Sequence, residues 1–140
     1  MKRVLIDVNV IVDVLLDRRP HVRFASVIWA AVEEGRVEGL LSAHAMTTIH
    51  YVNARTVGER TARDTTDALL SVFGIAAVDE GVVHTANAMG WTDFEDAVTA
   101  AAAQRAKCVA IVTRNPKDFK GSPVRVLTPA EAAAWLSAGA

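Results

Sequence analysis

The stretch VLIDVNVIVDVLL, residues 4–16, decides the predicted fold, because it joins a buried strand to a helix through a single acid. Its apolar, largely β-branched beginning predicts a strand over residues 3–8. The next run, residues 10–17, is predicted to form a helix that Pro20 brings to an end. Asp7 closes the strand, and a buried carboxylate is costly unless it is paired. The stretch therefore raises the question of what Asp7 binds.

The rest of the chain repeats this alternation of strand and helix. Further strands are predicted over residues 38–42, 75–79, 108–113 and 124–127. Further helices are predicted over residues 22–34, 43–56, 58–73, 80–89 and 94–106, and a last one begins after Thr128. Because the strands are uniformly apolar and separated by helices, they predict an α/β fold whose parallel sheet is covered on both faces. The length of 140 residues suits one domain, residues 1–140.

Composition excludes several classes of protein. With 51% hydrophobic residues, 22% charged residues and a net charge of −1, the chain is typical of a globular protein and has no general attraction to nucleic acid. An RNA partner would have to be bound by local arginines or by a metal ion. Cys108 is the one cysteine, which excludes an internal disulfide and a zinc-binding cysteine cluster. No apolar stretch reaches about 18 residues, so we predict no membrane partner and a cytoplasmic location.

Polar side chains follow the predicted strands at the place where parallel sheets form their sites, outside the carboxyl ends of the strands. Asp7 ends the first strand, and Asn9 lies just beyond it. Asp93 and Asp96 begin the helix over 94–106 and lie one turn apart on one face. Converging carboxylates repel one another and raise one another's pKa, and a divalent cation with oxygen ligands relieves this repulsion. The pattern therefore indicates a Mg²⁺ site suited to phosphodiester cleavage.

Each acid also has a structural interpretation, which the sequence leaves open. Asp7 is placed to cap the helix that follows it, and Asp93 has the same relation to the helix over 94–106. Asp79 follows the third strand, where it also precedes a helix, and Asp13 lies on the first helix. These last two acids are weaker candidates for the site than the others.

Three motifs, in fixed order along the chain, carry a resemblance to a known family. They are Asp7-Val8-Asn9-Val10, then Asp93-Phe94-Glu95-Asp96-Ala97, then Thr113-Arg114-Asn115-Pro116-Lys117-Asp118-Phe119. Together, in a chain of this length, they resemble the PIN domain family, which includes the ribonuclease toxins of VapBC-type toxin–antitoxin pairs. The resemblance runs over roughly residues 3–128. It implies a three-layer α/β/α sandwich with a central parallel sheet.

The resemblance also implies an activity, a cofactor and partners. The activity is that of an endoribonuclease that depends on Mg²⁺ or Mn²⁺, and the partners are an RNA substrate, an antitoxin protein and a second copy of the chain in a homodimer. Asp7 and Asp96 match the family's acids, and Asp93 lies one turn before Asp96. These three are the predicted catalytic and metal-binding residues. The predicted substrate-binding residues are Asn9, Thr48, Thr113, Arg114 and Asn115.

Two positions depart from the family's pattern. Many members carry a glutamate on the helix after the second strand, and the aligned stretch TTIHY, residues 47–51, has Thr48 in its place. Asn115 falls where many members carry the last acid, and Asp118 is close to it. A threonine supplies no charge, so the site is predicted to bind its metal more weakly than usual, or to recruit the metal mainly together with the RNA.

Three hypotheses follow from this pattern. The leading one is a metal-dependent endoribonuclease that acts as the toxin of a toxin–antitoxin pair. The alternative is a PIN-fold module that binds RNA or assembles with partners without cutting, which the missing glutamate favours. A third is a doubly wound small-ligand or phosphoacceptor domain with Asp7 as the acceptor, and no Gly-rich phosphate loop supports it.

Overall fold

A computed structural model describes residues 1–139 of the chain. Residues 1–139 form five β-strands: β1 Arg3–Ile6, β2 Glu38–Ser42, β3 Gly74–Ala76, β4 Ala110–Val112 and β5 Val126–Leu127. The same residues form seven α-helices: α1 Val8–Leu15, α2 Val22–Glu33, α3 Ala45–Val57, α4 Glu59–Val72, α5 Glu80–Met89, α6 Phe94–Arg105 and α7 Pro129–Ser137. Each predicted strand and helix is present, and most strands are shorter than predicted. A 3-10 helix, Pro116–Phe119, is an addition to the predicted elements.

The five strands form one parallel sheet in the order β3-β2-β1-β4-β5. The chain runs outward from the central strand β1 through β2 to β3, and then returns to place β4 and β5 on the other side of β1. The direction of winding therefore reverses between β1 and β4. In sheets of this kind the crevice outside the carboxyl ends of the strands, at such a reversal, is the usual binding site.

Helices cover both faces of the sheet. Neighbouring residues of each strand point to opposite faces, so the apolar strands contribute to a core on each side. Val4 and Ile6 of β1 pack into a core with α1, α2 and α7. Leu5 between them packs on the other face, into a core with α5 and α6. The predicted three-layer α/β/α sandwich with a central parallel sheet is thus confirmed.

Small side chains let α6 lie close against the sheet. Residues 97–103 are all buried, and five of these seven residues are alanine. The first turn of α6 thereby comes to line a cleft together with Asp7, the residue after β1. Among residues 1–139, no helix is both long enough and apolar enough to cross a membrane.

Candidate active site

The candidate site is a cleft beside the carboxyl ends of β1 and β4, where the strand order reverses. We call it the acid cleft, and it encloses about 310 Å³. Its lining residues are Asp7, Val8, Asn9, Val12, Arg18, Val52, Asp93, Glu95, Asp96, Asn115, Asp118 and Phe119. Five of these lining residues are acids and one, Arg18, is basic. The cleft is therefore strongly acidic, although the whole chain has a net charge of only −1.

Hydrogen bonds of its backbone and of both carboxylate oxygens fix Asp7 in the acid cleft. Its backbone N–H donates to the Val112 carbonyl at 2.9 Å, which extends the pairing of β1 with β4. Its Oδ1 accepts from the Val8 N–H at 2.9 Å and so caps α1. Its Oδ2 accepts from the Thr113 hydroxyl at 2.8 Å. Since each carboxylate oxygen has two lone pairs, both oxygens keep the capacity for a further partner.

Asp93 and Asp96 enter the acid cleft from the start of α6. Asp93 is the N-cap, and its Oδ1 accepts from the Asp96 N–H at 3.1 Å. Asp93 is exposed and Asp96 is half-buried. The structure thus brings together the three acids that the sequence singled out, Asp7, Asp93 and Asp96, and it also gives Asp7 and Asp93 the capping roles that the sequence left open.

Two further acids line the same cleft. Glu95 lies in the first turn of α6, between Asp93 and Asp96 in the sequence, and Asp118 lies on the 3-10 helix Pro116–Phe119. Asp118 had a signal in the sequence, because it lies close to Asn115 in the third motif. Glu95 had a weaker signal in the sequence. It stands in the second motif, but the sequence did not show whether its side of the helix faces the site.

Burial and the neighbouring carboxylates together raise the pKa of Asp96 from 3.8 to about 7. The largest cause is burial, which disfavours the charged form. The carboxylates of Asp93 and Asp7 come next, and those of Asp118 and Glu95 contribute in the same direction. A positive charge bound in the cleft would reverse this effect, so the site has a physical reason to attract a cation.

Burial also raises the pKa of Asp7. The hydrogen bonds from Thr113 and from the Val8 N–H oppose this rise, since they stabilise the ionised carboxylate. The charge of Glu95 adds to the rise, and that of His44 opposes it. Thr113 is therefore the side chain that does most to keep Asp7 ionised.

Two residues that the sequence predicted to bind substrate are engaged elsewhere. Thr113 is fully buried, with its hydroxyl donating to Asp7 and accepting from the Asn115 N–H at 3.2 Å. This corrects the prediction of a direct contact with substrate, because no surface of Thr113 is accessible. Arg114 donates from Nε to Asp13 Oδ2 at 2.7 Å and from a terminal nitrogen to Asp13 Oδ1 at 3.3 Å. Its guanidinium is thus occupied by a buried carboxylate.

The other predicted substrate-binding residues lie in or beside the acid cleft. Asn9 is half-buried and Asn115 is exposed, and both line the cleft. The Asn9 Oδ1 accepts from the Arg114 N–H at 3.4 Å. Thr48 is half-buried on α3, one turn before Val52, which lines the cleft. Because residues four apart share a helix face, Thr48 occupies the side of α3 that is turned toward the acids.

The two weaker candidates have structural roles outside the acid cleft. Asp13 is completely buried on α1 and is paired with Arg114. Asp79 caps α5 by accepting from the Val82 N–H at 3.0 Å, and it forms an ion pair with Arg105 at 3.3 Å.

The donor set of the acid cleft suits a hard cation, because it consists of carboxylate and amide oxygens. In the part of the chain that the structure describes, no group of three or more His, Cys, Asp or Glu side chains stands ready to hold a metal ion. Mg²⁺ usually keeps several waters and takes only one or two protein carboxylates, together with substrate phosphates. The open acid cleft therefore suits such a hydrated ion, and it does not have the form of a closed structural metal site.

Comparisons with known proteins agree with this geometry. A profile of the PIN domain matches residues 3–117. Ribonuclease VapC1 of Aquifex aeolicus (strain VF5) is 25% identical over 134 residues, which are 93% of this chain and 92% of that protein.

Solved structures show the same fold. The toxin–antitoxin complex from Klebsiella pneumoniae contains a chain with a TM-score of 0.68 and 26% identity, covering 90% of this chain and 97% of that one. VapBC-1 from nontypeable Haemophilus influenzae contains a chain with a TM-score of 0.72 and 12% identity, covering 91% of this chain and 98% of that one.

Proposed function

Because the chain belongs to the PIN domain family, we propose that it is an endoribonuclease of the VapC type, which hydrolyses phosphodiester bonds of RNA and acts as the toxin of a toxin–antitoxin pair. The similarity to Ribonuclease VapC1, over nearly the full length of both chains, supports this activity. The observation that carries the proposal is the convergence of Asp7, Asp93 and Asp96 in one cleft at the reversal point of the sheet.

In this proposal Asp7, Asp96 and Asp93 bind Mg²⁺ or Mn²⁺ and form the catalytic centre. The ion, when bound, activates an attacking water and stabilises the leaving oxygen of a phosphodiester. The raised pKa of Asp96 supports this assignment, since burial and then the repulsion by neighbouring carboxylates disfavour its charged form, and a bound cation would favour that form.

The remaining polar residues of the cleft position the RNA in this proposal. The Asn9 Oδ1 accepts from the Arg114 N–H, so the side-chain NH₂ group of Asn9 is the part that remains to donate to a phosphate or ribose oxygen. Asn115, which lines the cleft, and Thr48, one turn before the lining residue Val52, offer further polar groups. Arg18 brings a positive charge that can bind a phosphate. Thr113 acts through Asp7, as a positioning residue.

An antitoxin protein and a second copy of the chain complete the proposal. The toxin–antitoxin complex from Klebsiella pneumoniae and VapBC-1 from Haemophilus influenzae both share the fold of this chain, which supports an antitoxin as partner. The homodimer is proposed from the family resemblance. A cytoplasmic location follows from the proposal, because the substrate is cellular RNA.

Removal of divalent metal tests the proposal directly. We expect the purified chain to cleave single-stranded RNA in the presence of Mg²⁺ or Mn²⁺, and we expect EDTA to reduce cleavage to the background of a protein-free sample. Restoring either ion should restore the rate, and should also raise Tm, because an ion that binds only the folded state stabilises it. Cleavage that continued unchanged in EDTA would contradict the metal-dependent mechanism.

The hydrogen bond from Thr113 to Asp7 predicts a change in pH dependence. Thr113→Val removes the bond that opposes the raised pKa of Asp7, so that carboxylate should ionise only at higher pH. We expect the acidic limb of the pH–rate profile to move to higher pH, because the lost hydrogen bond stabilised the ionised carboxylate. Thr113→Ser keeps the hydroxyl and should keep the profile of the parent chain. An unchanged profile in Thr113→Val would remove the positioning role.

Thr48 favours one alternative, a PIN-fold module that binds RNA or assembles with partners without cutting. The family's glutamate at this position would add a carboxylate beside the cleft, and a threonine does not. Against this alternative, Glu95 and Asp118 add two carboxylates from other elements. The two functions separate cleanly in one experiment, because the module would bind RNA in a gel-shift assay and leave it intact with Mg²⁺ and with Mn²⁺.

A further inference from the structure

A second open cavity adjoins the acid cleft. It encloses about 470 Å³ and is lined by Gly90, Trp91, Thr92, Asp93, Asp96, Lys117, Asp118 and Lys120. Asp93, Asp96 and Asp118 line both cavities, so these acids form a shared wall. Sites for small organic ligands usually enclose about 300–1,000 Å³. We call this second cavity the lysine cavity, after Lys117 and Lys120. It is large enough to hold one nucleotide whose neighbouring phosphate lies in the acid cleft.

The 3-10 helix Pro116–Phe119 and the residues on either side of it line both cavities. Asp118 lines both, whereas Lys117 and Lys120 line the lysine cavity and not the acid cleft. A 3-10 helix has three residues per turn, so residues three apart lie above one another. Asn115 and Asp118 have this spacing and line the acid cleft. Lys117 and Lys120 also have this spacing and line the lysine cavity. The proposed ribonuclease activity gives the acids of the first cavity a role, but it gives none to the two lysines.

The lysines are available to an external anion. Both are exposed. Within residues 1–139, neither Lys117 nor Lys120 takes part in an ion pair. A polyanion that approaches the acid cleft meets strong repulsion, and two ammonium groups beside it lower that cost. Each group can act as a point charge for a phosphate.

Trp91 gives the lysine cavity an aromatic wall in a fixed position. Gly90 ends α5 in the left-handed conformation, with φ of 68°, and Trp91 follows it into the cavity lining. The indole is half-buried and packs edge-on against Phe119, with ring centroids 6.0 Å apart and planes at 86°. Phe119 itself is only 2% exposed, so it holds the indole from the core side. A half-buried indole beside two cations is a combination suited to a nucleobase and its phosphate.

We propose that the lysine cavity is a nucleotide subsite, in which Lys117 and Lys120 bind the phosphate next to the scissile one and Trp91 stacks on the adjoining base. The proposal rests on the proposed ribonuclease function and specifies its substrate as single-stranded RNA. A base within an RNA double helix is stacked on its neighbours and has no free face for Trp91. A base in a loop or a single strand has such a face.

Salt dependence tests the two lysines. The binding of a fluorescein-labelled single-stranded RNA is measured by fluorescence polarisation, with Asp7→Asn as the background so that the RNA stays intact. We expect Lys117→Gln with Lys120→Gln to raise Kd about 10-fold and to reduce the slope of log Kd against log salt by about 0.7 for each lost phosphate contact. Lys107→Gln is the matched control, since Lys107 lies at the opposite end of the sheet, beside the start of β4. An unchanged slope in the double variant would overturn the proposal.

Trp91 is tested in the same background. Trp91→Leu should raise Kd about 5- to 10-fold, whereas Trp91→Phe keeps an aromatic face and should bind nearly as well as the parent. RNA should quench the tryptophan fluorescence of the parent, and most of that quenching should disappear in Trp91→Phe, although Trp29 and Trp135 remain. Quenching that persisted in Trp91→Phe, or equal binding by Trp91→Leu, would count against stacking.

The proposed subsite and the proposed function fail in different ways. If the native chain cleaves RNA while the lysine and Trp91 variants bind and cleave as it does, the subsite is wrong and the ribonuclease assignment stands. If the native chain never cleaves RNA but the variants weaken binding as expected, the subsite stands and the catalytic proposal falls. A chain that binds no single-stranded RNA overturns the subsite.

Discussion

Asp7→Asn and Asp96→Asn are each expected to lower the rate of RNA cleavage by at least about 100-fold. Changes to groups that only support a metal ligand already cost about 10- to 100-fold in affinity or activity. Removing the negative charge of a proposed metal ligand should lower the activity by at least the same factor. Asparagine has nearly the shape of aspartate, so the change removes charge and leaves the packing of the acid cleft almost unaltered.

The assay compares both variants with the native chain under saturating Mg²⁺, and separately under Mn²⁺. Asp64→Asn is the matched control, because Asp64 is an exposed acid on α4 and does not line the acid cleft. We expect the control to cleave at the native rate. Native rates in Asp7→Asn and Asp96→Asn would remove these two residues from the catalytic centre.

A stability measurement distinguishes a loss of cleavage from a loss of folding. The folded-state pKa of Asp96 is raised from 3.8 to about 7, so its contribution to stability is fully present below the lower value and is lost as the pH rises through the higher one. The asparagine of the variant does not ionise. In EDTA, Asp96→Asn should therefore be more stable than the native chain, and the difference in Tm should grow between these two pH values and then level off. Added Mg²⁺ should stabilise the native chain more than the variant.

The second large effect is on stability, because Arg114→Met leaves a carboxylate in the core without a partner. Asp13 is 0% exposed, and both of its oxygens accept hydrogen bonds from Arg114. Removing one member of a buried ion pair typically costs about 3–5 kcal/mol. We expect Arg114→Met to lower the free energy of unfolding by that amount, as measured by urea denaturation.

Two controls make this prediction specific. The double variant Asp13→Leu with Arg114→Met removes both charges and should recover most of the lost stability, because apolar residues often replace a buried pair without loss. Arg19→Met removes one member of the exposed pair with Asp17, whose side chains are 81% and 64% exposed, and should cost less than about 1 kcal/mol. If Arg114→Met cost no more than Arg19→Met, the pair would not be holding the fold.

The sequence predicts the main architecture, because strands and helices are marked by local patterns of apolar residues. Apolar runs mark the strands, and the residue after each run lies at the carboxyl edge of a parallel sheet wherever the strand pairs. Asp7 could therefore be assigned to the edge where the site forms. The start of α6 follows a helix and not a strand, so Asp93 and Asp96 were joined to the same site by their spacing and by the family resemblance.

Other features depend on contacts that no local pattern records. Arg114 looked like a phosphate-binding residue, but it pairs with Asp13, which lies 101 positions away in the chain. Thr113 ends a strand like a residue that faces the cleft, yet its side chain is buried beneath Asp7 and positions that carboxylate. The 3-10 helix Pro116–Phe119 is too short to have a detectable period, so the placement of Lys117 and Lys120 in a cavity beside the acid cleft emerged only in three dimensions.

The order of the strands has a consequence for how the protein is made. The acids of the cleft come from both halves of the chain, since Asp7 is near the beginning and Asp93, Asp96 and Asp118 are in the second half. β4, which pairs directly with β1, is also translated late. A nascent chain on the ribosome can carry Asp7 for most of its synthesis without possessing a cleft. The proposed ribonuclease therefore acquires its full set of cleft acids only when its synthesis is nearly complete.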